Sequence, residues 1–431
     1  MALEFRHGAI QWLTTDALNA TKVISGFGFE PKALRFYWFG IQSNSPTNFA
    51  SQALSSRRGV GFAVSAASRR CVGSFSQDAT ADSATATVAS DNSVCITLDG
   101  VGTVDGRLDI SSFDPDGFTL IVDDVVPANI TVFYEAWGGS DITVAEVGDI
   151  TEPAATGVVN YTVNGFTSDG LNQVVMFAGV QSTAVLNTGF DGDSGMCVGF
   201  ASATGAANNI TICGNSDDES MTMDTDGYMR QGECLSMIVI AGGNPNARAT
   251  LSAWGTDLFT LNWLARATTG RRNIFLAIKG GSWDAGAVTI AGNTLNSTVN
   301  VGSQQLPFVP NGISMFTRNL AQSAAATATV NDIICMGTAI STTSRNSGGV
   351  LDENGTTVAE IDLVLQYSSV LSVPSAAGAV QAAYDINSFS LNNVQIITDV
   401  AGGVAATFLG YLTFGTKKLP RISSIGHPFI I

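Results

Sequence analysis

The sequence predicts an all-β protein built from three tandem antiparallel β-sandwich or jelly-roll-like domains that are related by internal triplication. A short motif, CVGFA at 197–201, recurs as VGFA at 60–63 and as CMGTA at 335–339, so that its glycines are spaced by 138 residues on both sides. Equal spacing of three copies indicates an internal repeat. Charged residues make up only 13% of the chain and glycines number 46, a composition that favours strands and tight turns over helices.

The length of 431 residues also fits three domains, since a domain has about 150 residues. Apolar closing segments mark the end of each copy, and almost no linker follows them, so we expect a compact array. The predicted domains are 1–139, 140–280 and 281–415, followed by a C-terminal tail at 416–431. Both ends of the chain, 1–12 and 417–431, carry apolar residues that suit docking on neighbours, and the tail is expected either to fold back or to dock.

Two further motifs align at nearly the same offset. The first opens each copy and lies at 8–11, 148–151 and 286–289. The second lies at 18–21, 159–162 and 295–298. Independent motifs that agree on one period make chance a poor explanation.

The next segment is the most apolar of the first copy. A Phe-x-Pro lead-in at 29–31 fixes an extended start, because proline locks its own φ and restricts the residue before it. In the strand that follows, alternate residues point to opposite faces. One face carries Leu34, Phe36 and Trp38 and the other carries Arg35, Tyr37 and Phe39. Both faces are largely apolar, so we expect this strand to be covered on both sides.

A turn and a closing strand complete each copy. The segment FDPDGFTL at 113–120 is matched by WGTDLFTL at 254–261 and faintly by 391–396. Its Asp-Pro-Asp-Gly sequence is turn chemistry, since proline presets one turn residue and glycine takes a positive φ. The closing strands are predicted at 132–139, 274–281 and 408–415.

The six cysteines are expected to be free and buried. The N-terminal residues lack the basic and apolar regions of a signal peptide, so we expect synthesis in a cytoplasm, where thiols stay reduced. The offsets align Cys71 with Cys213, Cys95 with Cys234, and Cys197 with Cys335. Such recurrence suits small buried hydrophobic residues. Pairing of Cys71 with Cys95, or of Cys213 with Cys234, stays open.

The net charge of −16, from 36 acidic and 20 basic residues, argues against nucleic acid as a partner. A phosphate backbone needs clustered lysine and arginine, and the two arginine pairs at 57–58 and 69–70 are too sparse. No apolar run approaches the roughly 18 residues of a membrane helix. We therefore predict neither a nucleic-acid nor a membrane partner.

The segment Gly192-Asp193-Ser194-Gly195 matches the nucleophile motif of trypsin-like proteases, whose serine needs a histidine. The chain has two histidines, His7 and His427, at its opposite ends. We therefore interpret the segment as a glycine-rich turn.

Asp224 and Asp226 begin like a calcium-binding loop but lack its closing glutamate. With Asp217, Asp218 and Glu219 nearby, we expect a solvated acidic turn. Zinc is weaker still, because the nearby cysteines have neither Cys-x-x-Cys spacing nor a histidine.

Asp114 and Asp116 with Glu135 could imitate the carboxylate pair of a glycosidase, but the aspartates lie at a turn position and the other copies do not keep both. Tyr37, Trp137 and Trp283 could stack on sugars, yet their strand positions favour cores. No catalytic, cofactor-binding or metal-binding residue, and no cofactor, is predicted.

Three segments of the first copy, GFEPKA at 28–33, RRGVGFA at 57–63 and DGFTL at 116–120, carry a resemblance. They resemble a group of tailed-bacteriophage structural proteins that repeat a G-F-x-P-K-A … R-R-G-x-G-F-A … D-G-F-T-L pattern in tandem domains. The likeness covers the first copy well, the second partly and the third faintly. The motifs are turns and strand starts and bring no catalytic residues. The resemblance implies a virion component on the capsid surface, the collar or the tail.

We therefore expect a non-enzymatic structural protein of a tailed-phage virion, acting through fixed contacts with other virion proteins and as a homo-oligomer. The alternative is a receptor- or carbohydrate-binding tail appendage with a host-surface glycan as partner, which would need exposed aromatic residues at one of the aligned motif positions only. A third hypothesis is a polysaccharide depolymerase. It would need a pocket that gathers at least two carboxylates with perturbed pKa values.

Overall fold

A computed structural model describes residues 3–40, 48–51, 54–218, 222, 224–238, 245–267, 270–301, 306–321 and 331–417. Within these residues the protein is all-β, with 32 strands in six antiparallel sheets and one 3₁₀ turn at Ala206–Asn208. The predicted fold class is confirmed. No helix in this part of the chain is long and apolar enough to cross a membrane.

The first repeat contributes eleven strands. They are β1 Glu4–Trp12, β2 Thr21–Ser25, β3 Pro31–Trp38, β4 Phe49–Ser51, β5 Ser56–Ala63, β6 Arg69–Ser76, β7 Thr85–Ser90, β8 Cys95–Leu98, β9 Val104–Asp114, β10 Gly117–Asp124 and β11 Ile130–Gly138. Its large sheet has the order β1-β11-β3-β5-β6-β7, and its small sheet has the order β2-β10-β9-β8. The two sheets pack face to face as a sandwich.

The second repeat contributes the next eleven strands. They are β12 Val144–Thr151, β13 Gly157–Thr162, β14 Gln173–Val180, β15 Phe190–Asp191, β16 Met196–Ala201, β17 Asn209–Ser216, β18 Thr225–Gln231, β19 Leu235–Ile238, β20 Pro245–Gly255, β21 Leu258–Ala265 and β22 Arg272–Lys279. Its large sheet is β12-β22-β14-β16-β17-β18 and its small sheet is β13-β21-β20-β19.

The third repeat contributes the last ten strands of the described chain. They are β23 Ser282–Ile290, β24 Thr298–Asn300, β25 Phe308–Thr317, β26 Asp332–Ala339, β27 Arg345–Asp352, β28 Ile361–Gln366, β29 Leu371–Pro374, β30 Val380–Ser390, β31 Asn393–Val400 and β32 Thr407–Lys417. Its sheets are β23-β32-β25-β26-β27-β28 and β24-β31-β30-β29. All three repeats therefore share one strand order, which confirms the triplication.

Two short strands leave their own repeat and complete the large sheet of another. Strand β4 of repeat one pairs with β28 of repeat three, with Ala50 opposite Val364. Strand β15 of repeat two pairs with β7 of repeat one, with Phe190 opposite Thr87. The corresponding residues of repeat three, 322–330, lie outside the described residues. We call β4 and β15 the exchanged strands. They were not predicted from the sequence. Because each of them pairs with a strand of another repeat, two of the large sheets contain residues from two repeats.

The repeats close into a ring with an approximate threefold arrangement. Strand β6 of repeat one packs on β12 and β22 of repeat two, and the equivalent β17 packs on β23 and β32 of repeat three. From β27 of repeat three, Asn346 contacts His7 on β1 of repeat one. Head-to-tail contacts that close in this way are typical of cyclic trimers, and here a single chain supplies all three units.

Both faces of each large sheet are covered, as the alternation in β3 predicted. Leu34, Phe36 and Trp38 pack into the sandwich core of repeat one. Tyr37 and Phe39 point the other way, into a central core to which all three large sheets contribute. Repeats two and three have sandwich cores of their own. The molecule thus has three sandwich cores around one shared core.

Within the segment 1–12, residues 3–12 contribute apolar side chains to the shared core and to the sandwich core of repeat one, which corrects the expectation that they dock on neighbours. Leu3, Phe5 and Trp12 are buried, and β1 pairs along its whole length with β11. Residues 418–431, which include most of the predicted C-terminal tail, lie outside the described residues.

The repeated glycine of the VGFA, CVGFA and CMGTA segments, which we call the motif glycine, marks a close approach between the two sheets of each sandwich. In every repeat, a Cβ atom built on this glycine would collide with the backbone carbonyl oxygen of the residue that directly precedes a strand of the small sheet. The three pairs are Gly61 with Val94, Gly199 with Cys234, and Gly337 with Val370. The 138-residue period therefore records a packing requirement rather than a site.

We expect Gly199→Ala to destabilise the protein by roughly 1–3 kcal/mol, the usual cost of overpacking a core. Urea unfolding would measure the change. Gly205→Ala is the matched control, because Gly205 is exposed and its φ is −71°. Equal unfolding free energies for the Gly199→Ala variant and the wild type would contradict the close-approach explanation.

Strand register tests the other aligned motifs. The glycines of the opening segments, Gly8, Gly148 and Gly286, lie opposite Tyr134, Phe275 and Tyr411 and make room for those rings. The alignment of the second motif is correct for 18–21 and 295–298, since Asn19 and Asn296 lie in equivalent turns and both have φ near +60°. It is wrong for 159–162, because Asn160 lies within β13 opposite Thr260.

Candidate functional site at the junction of the repeats

The predicted protease motif is a turn at the junction of the three repeats. Ser194 is fully buried, and its backbone oxygen accepts hydrogen bonds from Ser74 Oγ at 2.7 Å and from Arg58 Nη2 at 3.3 Å. Asp193 accepts from the side chain of Gln181 and from the backbone N–H of Asp218. The segment leads from β15 back into its own sheet and carries these contacts between repeats.

His7 is placed on repeat three rather than beside Ser194. Its Nε2 lies 3.1 Å from Ser344 Oγ, and its Nδ1 lies 3.2 Å from Asn346 Nδ2. Tyr37 donates to Asn346 Oδ1 at 2.8 Å, which orients the amide so that its nitrogen faces the ring. His7 Nδ1 therefore accepts, and Nε2 carries the proton and donates to Ser344. Burial lowers the pKa of His7, and the ring nitrogen that faces Ser344 already carries a proton, so it cannot accept the proton of Ser344. His427 lies outside the described residues.

The acidic turn of repeat two is packed rather than solvated, which corrects that expectation. Asp226 is buried, and Asp218 accepts a hydrogen bond from the backbone N–H of Thr85 in repeat one. Burial, with Asp193, Asp224 and Asp226 nearby, raises the pKa of Asp217 to about 7. Among the described residues no group of three or more His, Cys, Asp or Glu is arranged to hold a metal ion; Glu219 lies outside them.

The carboxylates of the predicted glycosidase-like set have separate structural tasks. Asp116 accepts hydrogen bonds from the backbone N–H groups of Gly26 and Gly28 at 2.9 and 2.6 Å. Asp114 accepts from Ser112 and Thr119 within its hairpin. Glu135 is fully buried in the central core. Asp114 and Asp116 thus stabilise their turn, and Glu135 lies apart from them in the core.

The aromatic residues considered for sugar stacking belong to the core. Tyr37 and Trp137 are buried. Trp283 is half-buried, with its ring centroid 6.2 Å from that of Trp137 and 5.6 Å from that of Phe414. All three rings therefore pack in or against the shared core.

The central core contains a buried ion pair. Arg35 Nη1 lies 3.1 Å from Glu135 Oε2, and both side chains are at most 1% exposed. Glu135 Oε1 also accepts hydrogen bonds from Ser314, at 2.5 Å, and from Thr338. Because Ser314 and Thr338 belong to repeat three, the carboxylate of repeat one is satisfied only when repeat three is in place. We call this set the central junction.

The guanidinium of Arg35 reaches both other repeats. Its Nη2 lies 3.4 Å from the sulfur of Met336 in repeat three. Its Cζ lies 5.2 Å from the ring centroid of Phe200 in repeat two. Arginine over an aromatic face is attracted by the ring quadrupole. All three repeats therefore meet at this one side chain.

A second buried polar set, the Arg58 junction, lies where the chain returns from the exchanged strands. Arg58 Nη2 lies 2.5 Å from Asp332 Oδ2 and 4.0 Å from Asp352 Oδ2. Burial works to lower the pKa of Arg58, and the two carboxylates more than offset it. Burial raises the pKa of Asp332 to about 6, against the attraction of Arg58. Ser216 of repeat two donates to Asp352 at 2.7 Å.

Neither junction was predicted as a unit, although part of the signal was present. Arg35 and Glu135 interrupt two otherwise apolar strands, which pair in the structure. A charge at such a position indicates a buried partner, since an unpaired buried charge is costly. The Arg58 junction joins residues far apart in sequence and carried no local pattern.

The six cysteines are all buried and free. Burial raises their thiol pKa values, that of Cys213 to about 12. The register corrects two alignments: Gly61 faces Cys71 whereas Gly199 faces Thr211, so Cys71 corresponds to Thr211. Likewise Cys95 corresponds to Leu235 rather than Cys234. Cys197 and Cys213 lie directly opposite each other on β16 and β17, a neighbour pair that the spacing did not suggest.

We expect all six thiols to be unreactive towards an aqueous thiol reagent in the folded protein and all six to react after unfolding, because only the thiolate reacts and burial disfavours it. Titration with and without denaturant, in protein kept from air and without reductant, measures this. Fewer than six reactive thiols after unfolding would indicate a disulfide.

A shallow groove of about 360 Å³ between repeats one and three is lined by acidic side chains, including Asp78, Glu360 and Asp362. Burial raises the pKa of Asp78. Burial and the neighbouring Glu353 raise the pKa of Asp362 to about 7. Asp362 accepts from the backbone N–H of Gly378, and Asp78 from that of Ile361. The groove thus gathers two carboxylates with perturbed pKa values, the feature that the depolymerase hypothesis requires.

These carboxylates predict an unusual pH dependence of stability. Glu152, Asp217 and Asp362 each have a folded-state pKa raised to about 7, above the value near 4 of an unfolded chain. The folded state therefore binds more protons than the unfolded state between these values, and stability rises as pH falls. We expect a higher Tm at pH 5.5 than at pH 8 in calorimetry. Asp362→Asn should reduce the difference, and a Tm that falls on acidification would contradict the prediction.

Comparison with known proteins gives no match, either to a protein-family model or to a curated sequence.

Proposed function

We propose that the chain is a non-enzymatic structural protein of a tailed-phage virion, on the capsid surface, collar or tail, and that it acts through fixed contacts with other virion proteins. The observation that carries this proposal is the ring of three sandwiches around a shared core. Packed faces join each sandwich to its neighbours, the two exchanged strands cross between repeats, and a buried ion pair joins repeats one and three. A body of this kind suits lasting contacts rather than opening and closing around a substrate.

The roles of the resembling motifs support the same proposal. In the GFEPKA segment, the backbone N–H of Gly28 donates a hydrogen bond to Asp116 of the DGFTL turn. In the RRGVGFA segment, Arg58 enters the Arg58 junction and Gly61 allows the close sheet approach. Each motif thus serves the architecture, as the resemblance to structural proteins implies.

The approximate threefold arrangement suggests what the protein docks on. A ring of three similar units presents three similar surfaces around one axis, and such a ring matches a threefold or locally threefold position in a symmetric shell or tube. The repeats differ in sequence, so the match is one of shape more than of identical contacts. The chain would then act as a ready-made trimer.

The test is to locate the chain on intact particles of the phage that encodes it. We expect particle reconstruction, with antibody labelling of the intact virion, to show the chain at a fixed position and in a fixed copy number. A chain that is absent from purified particles would overturn the proposal. Truncation after Lys417 leaves β32 intact and tests whether the tail anchors the protein: fewer bound copies than for the full chain are expected if it does.

The acidic groove between repeats one and three favours a second candidate, a polysaccharide depolymerase. Its carboxylates Asp78 and Asp362 would act as acid and base. Release of reducing ends from host-surface polysaccharide, abolished by Asp362→Asn, would support this candidate. If no reducing ends are released, the structural proposal is favoured. Both carboxylates accept hydrogen bonds from backbone N–H groups, which explains their presence as residues that stabilise the local backbone.

A further inference from the structure

The shared core is asymmetric at positions that the repeats have in common. Strand register equates Arg35 on β3 with Met176 on β14 and Ser314 on β25. The residues opposite them are Glu135, Leu276 and Leu412. All six are buried. Only repeat one places charges at this level of the core, and the other two place apolar or hydroxyl side chains there.

The ion pair requires one particular neighbour. Glu135 is satisfied by Ser314 and by Thr338 of repeat three. The residues equivalent to Thr338, at the same distance from the motif glycine, are Phe62 and Phe200, which cannot donate a hydrogen bond. The carboxylate would therefore lose these donors if either of the other repeats stood in the place of repeat three.

The Arg58 junction is asymmetric in the same way. Arg58 corresponds to Met196 and Ile334, three residues before the motif glycine in each repeat. Its acceptors Asp332 and Asp352 face each other across β26 and β27, where repeat one has Ser56 opposite Ser76. One repeat supplies the cation and another supplies the anions, so the interaction forms only between repeats one and three.

The Arg58 junction also lies beside the exchanged strands. Strand β5, which carries Arg58, follows β4, and Ser194 follows β15 by three residues. The backbone oxygen of Ser194 accepts a hydrogen bond from Arg58. The Arg58 junction therefore connects the two segments that follow the exchanged strands, where each segment re-enters the large sheet of its own repeat.

We propose that the central junction and the Arg58 junction fix the order of the three repeats, and so direct each exchanged strand to a repeat of the same chain rather than to a second copy. Similar repeats with similar edges can pair in the wrong order or between chains, which is the common failure of repeat proteins. A buried polar pair that is satisfied in one arrangement and unpaired in the others discriminates against those alternatives. This inference does not depend on where the protein acts.

The pairing of β15 with β7 provides a direct readout. Thr87→Cys with Phe190→Cys places two thiols at positions that face each other across this pair. The six native thiols are buried, so mild oxidation addresses the introduced pair. After unfolding and refolding, a disulfide within one chain leaves a monomer on a non-reducing gel, and a disulfide between chains leaves a dimer.

The test compares three backgrounds that all carry this cysteine pair. In the otherwise wild-type chain we expect an intrachain bond. In the order variant, Arg35→Met, Glu135→Leu, Arg58→Met, Asp332→Ser and Asp352→Ser give repeats one and three the residues that other repeats carry at these positions. We expect its interchain share to rise by about tenfold or more, because polar discrimination against wrong pairing is lost.

The control removes an ion pair of the same type from the surface. Arg70 and Asp149 join repeats one and two at 2.8 Å with both side chains partly exposed. Arg70→Met with Asp149→Ala should refold with the same intrachain bond as the wild type. If the order variant does not refold, Glu135→Gln alone is the milder variant, and it is expected to raise the interchain share less.

Two results would overturn the proposal. One is an interchain bond of similar yield in the wild-type background. The other is a purely intrachain bond in both the order variant and the Glu135→Gln variant, measured at the same protein concentration.

Discussion

Glu135→Leu alone is expected to lower the free energy of unfolding by about 3–5 kcal/mol, the usual cost of removing one partner of a buried ion pair. The change leaves Arg35 buried without its carboxylate and leaves the hydroxyl groups of Ser314 and Thr338 without their acceptor. Urea unfolding at pH 7 measures it.

The paired change Arg35→Met with Glu135→Leu is expected to recover most of that loss. It installs the residues that repeat two carries at the same positions, Met176 and Leu276, and replacement of a buried ion pair by packed apolar residues is often neutral or stabilising. Arg70→Met, which breaks a partly exposed ion pair, should cost no more than about 1 kcal/mol. A paired variant as unstable as Glu135→Leu would show that packing, rather than the unpaired charge, dominates.

Arg58→Met is expected to produce the second large effect, and one that depends on pH. It removes the cation between Asp332 and Asp352, which then repel each other in a buried site. Asp332 already has a pKa raised to about 6 by burial, and loss of Arg58 should raise that pKa further. The variant should therefore lose about 3–5 kcal/mol at pH 8 and less at pH 5, where the folded state holds an extra proton.

Unfolding free energies between pH 5 and pH 8 would test this prediction. The combined variant Arg58→Met, Asp332→Ser and Asp352→Ser carries no buried charge at these three positions, and should lose the added pH dependence. A loss that is the same at both pH values would mean that the carboxylates do not control the stability of the junction.

The fold class could be predicted because its signals are local and repeated. The glycine at the sheet approach recurs three times, and the alternation in β3 showed that both of its faces are covered. The turn at Asp116 was recognised from its own residues. These features depend on steric rules that act within a few residues of the chain.

The exchanged strands could not be predicted for an opposite reason. Strand β15 has two residues and β4 has three, too few to show a period. Their partners belong to other repeats, so nothing near them in sequence indicates the pairing. The errors in the cysteine alignment have a related cause, because insertions between strands shift the offset by one or two residues and only the register restores it.

The buried charges show a third case. Arg35 and Glu135 stand out against apolar strands, which indicates a buried partner for each, but the strand order that pairs them came only from the structure. Arg58 was interpreted only as part of a sparse basic pair. Its partner Asp332 lies 274 residues away, and the two meet only when the ring is closed.

Because β4 pairs with β28 of the last repeat, this pairing can form only late in synthesis. Asn48, beside β4, accepts a hydrogen bond from the backbone N–H of Tyr367, 319 residues later. At about 5–20 residues per second, the ribosome needs roughly 16–64 seconds to make that partner. When repeat one emerges, its strand β7 therefore lacks its partner β15, and its β4 segment lacks its partner in the last repeat. The ring can lock only near the end of translation, and once it has locked, no repeat can leave without breaking strand pairs in another.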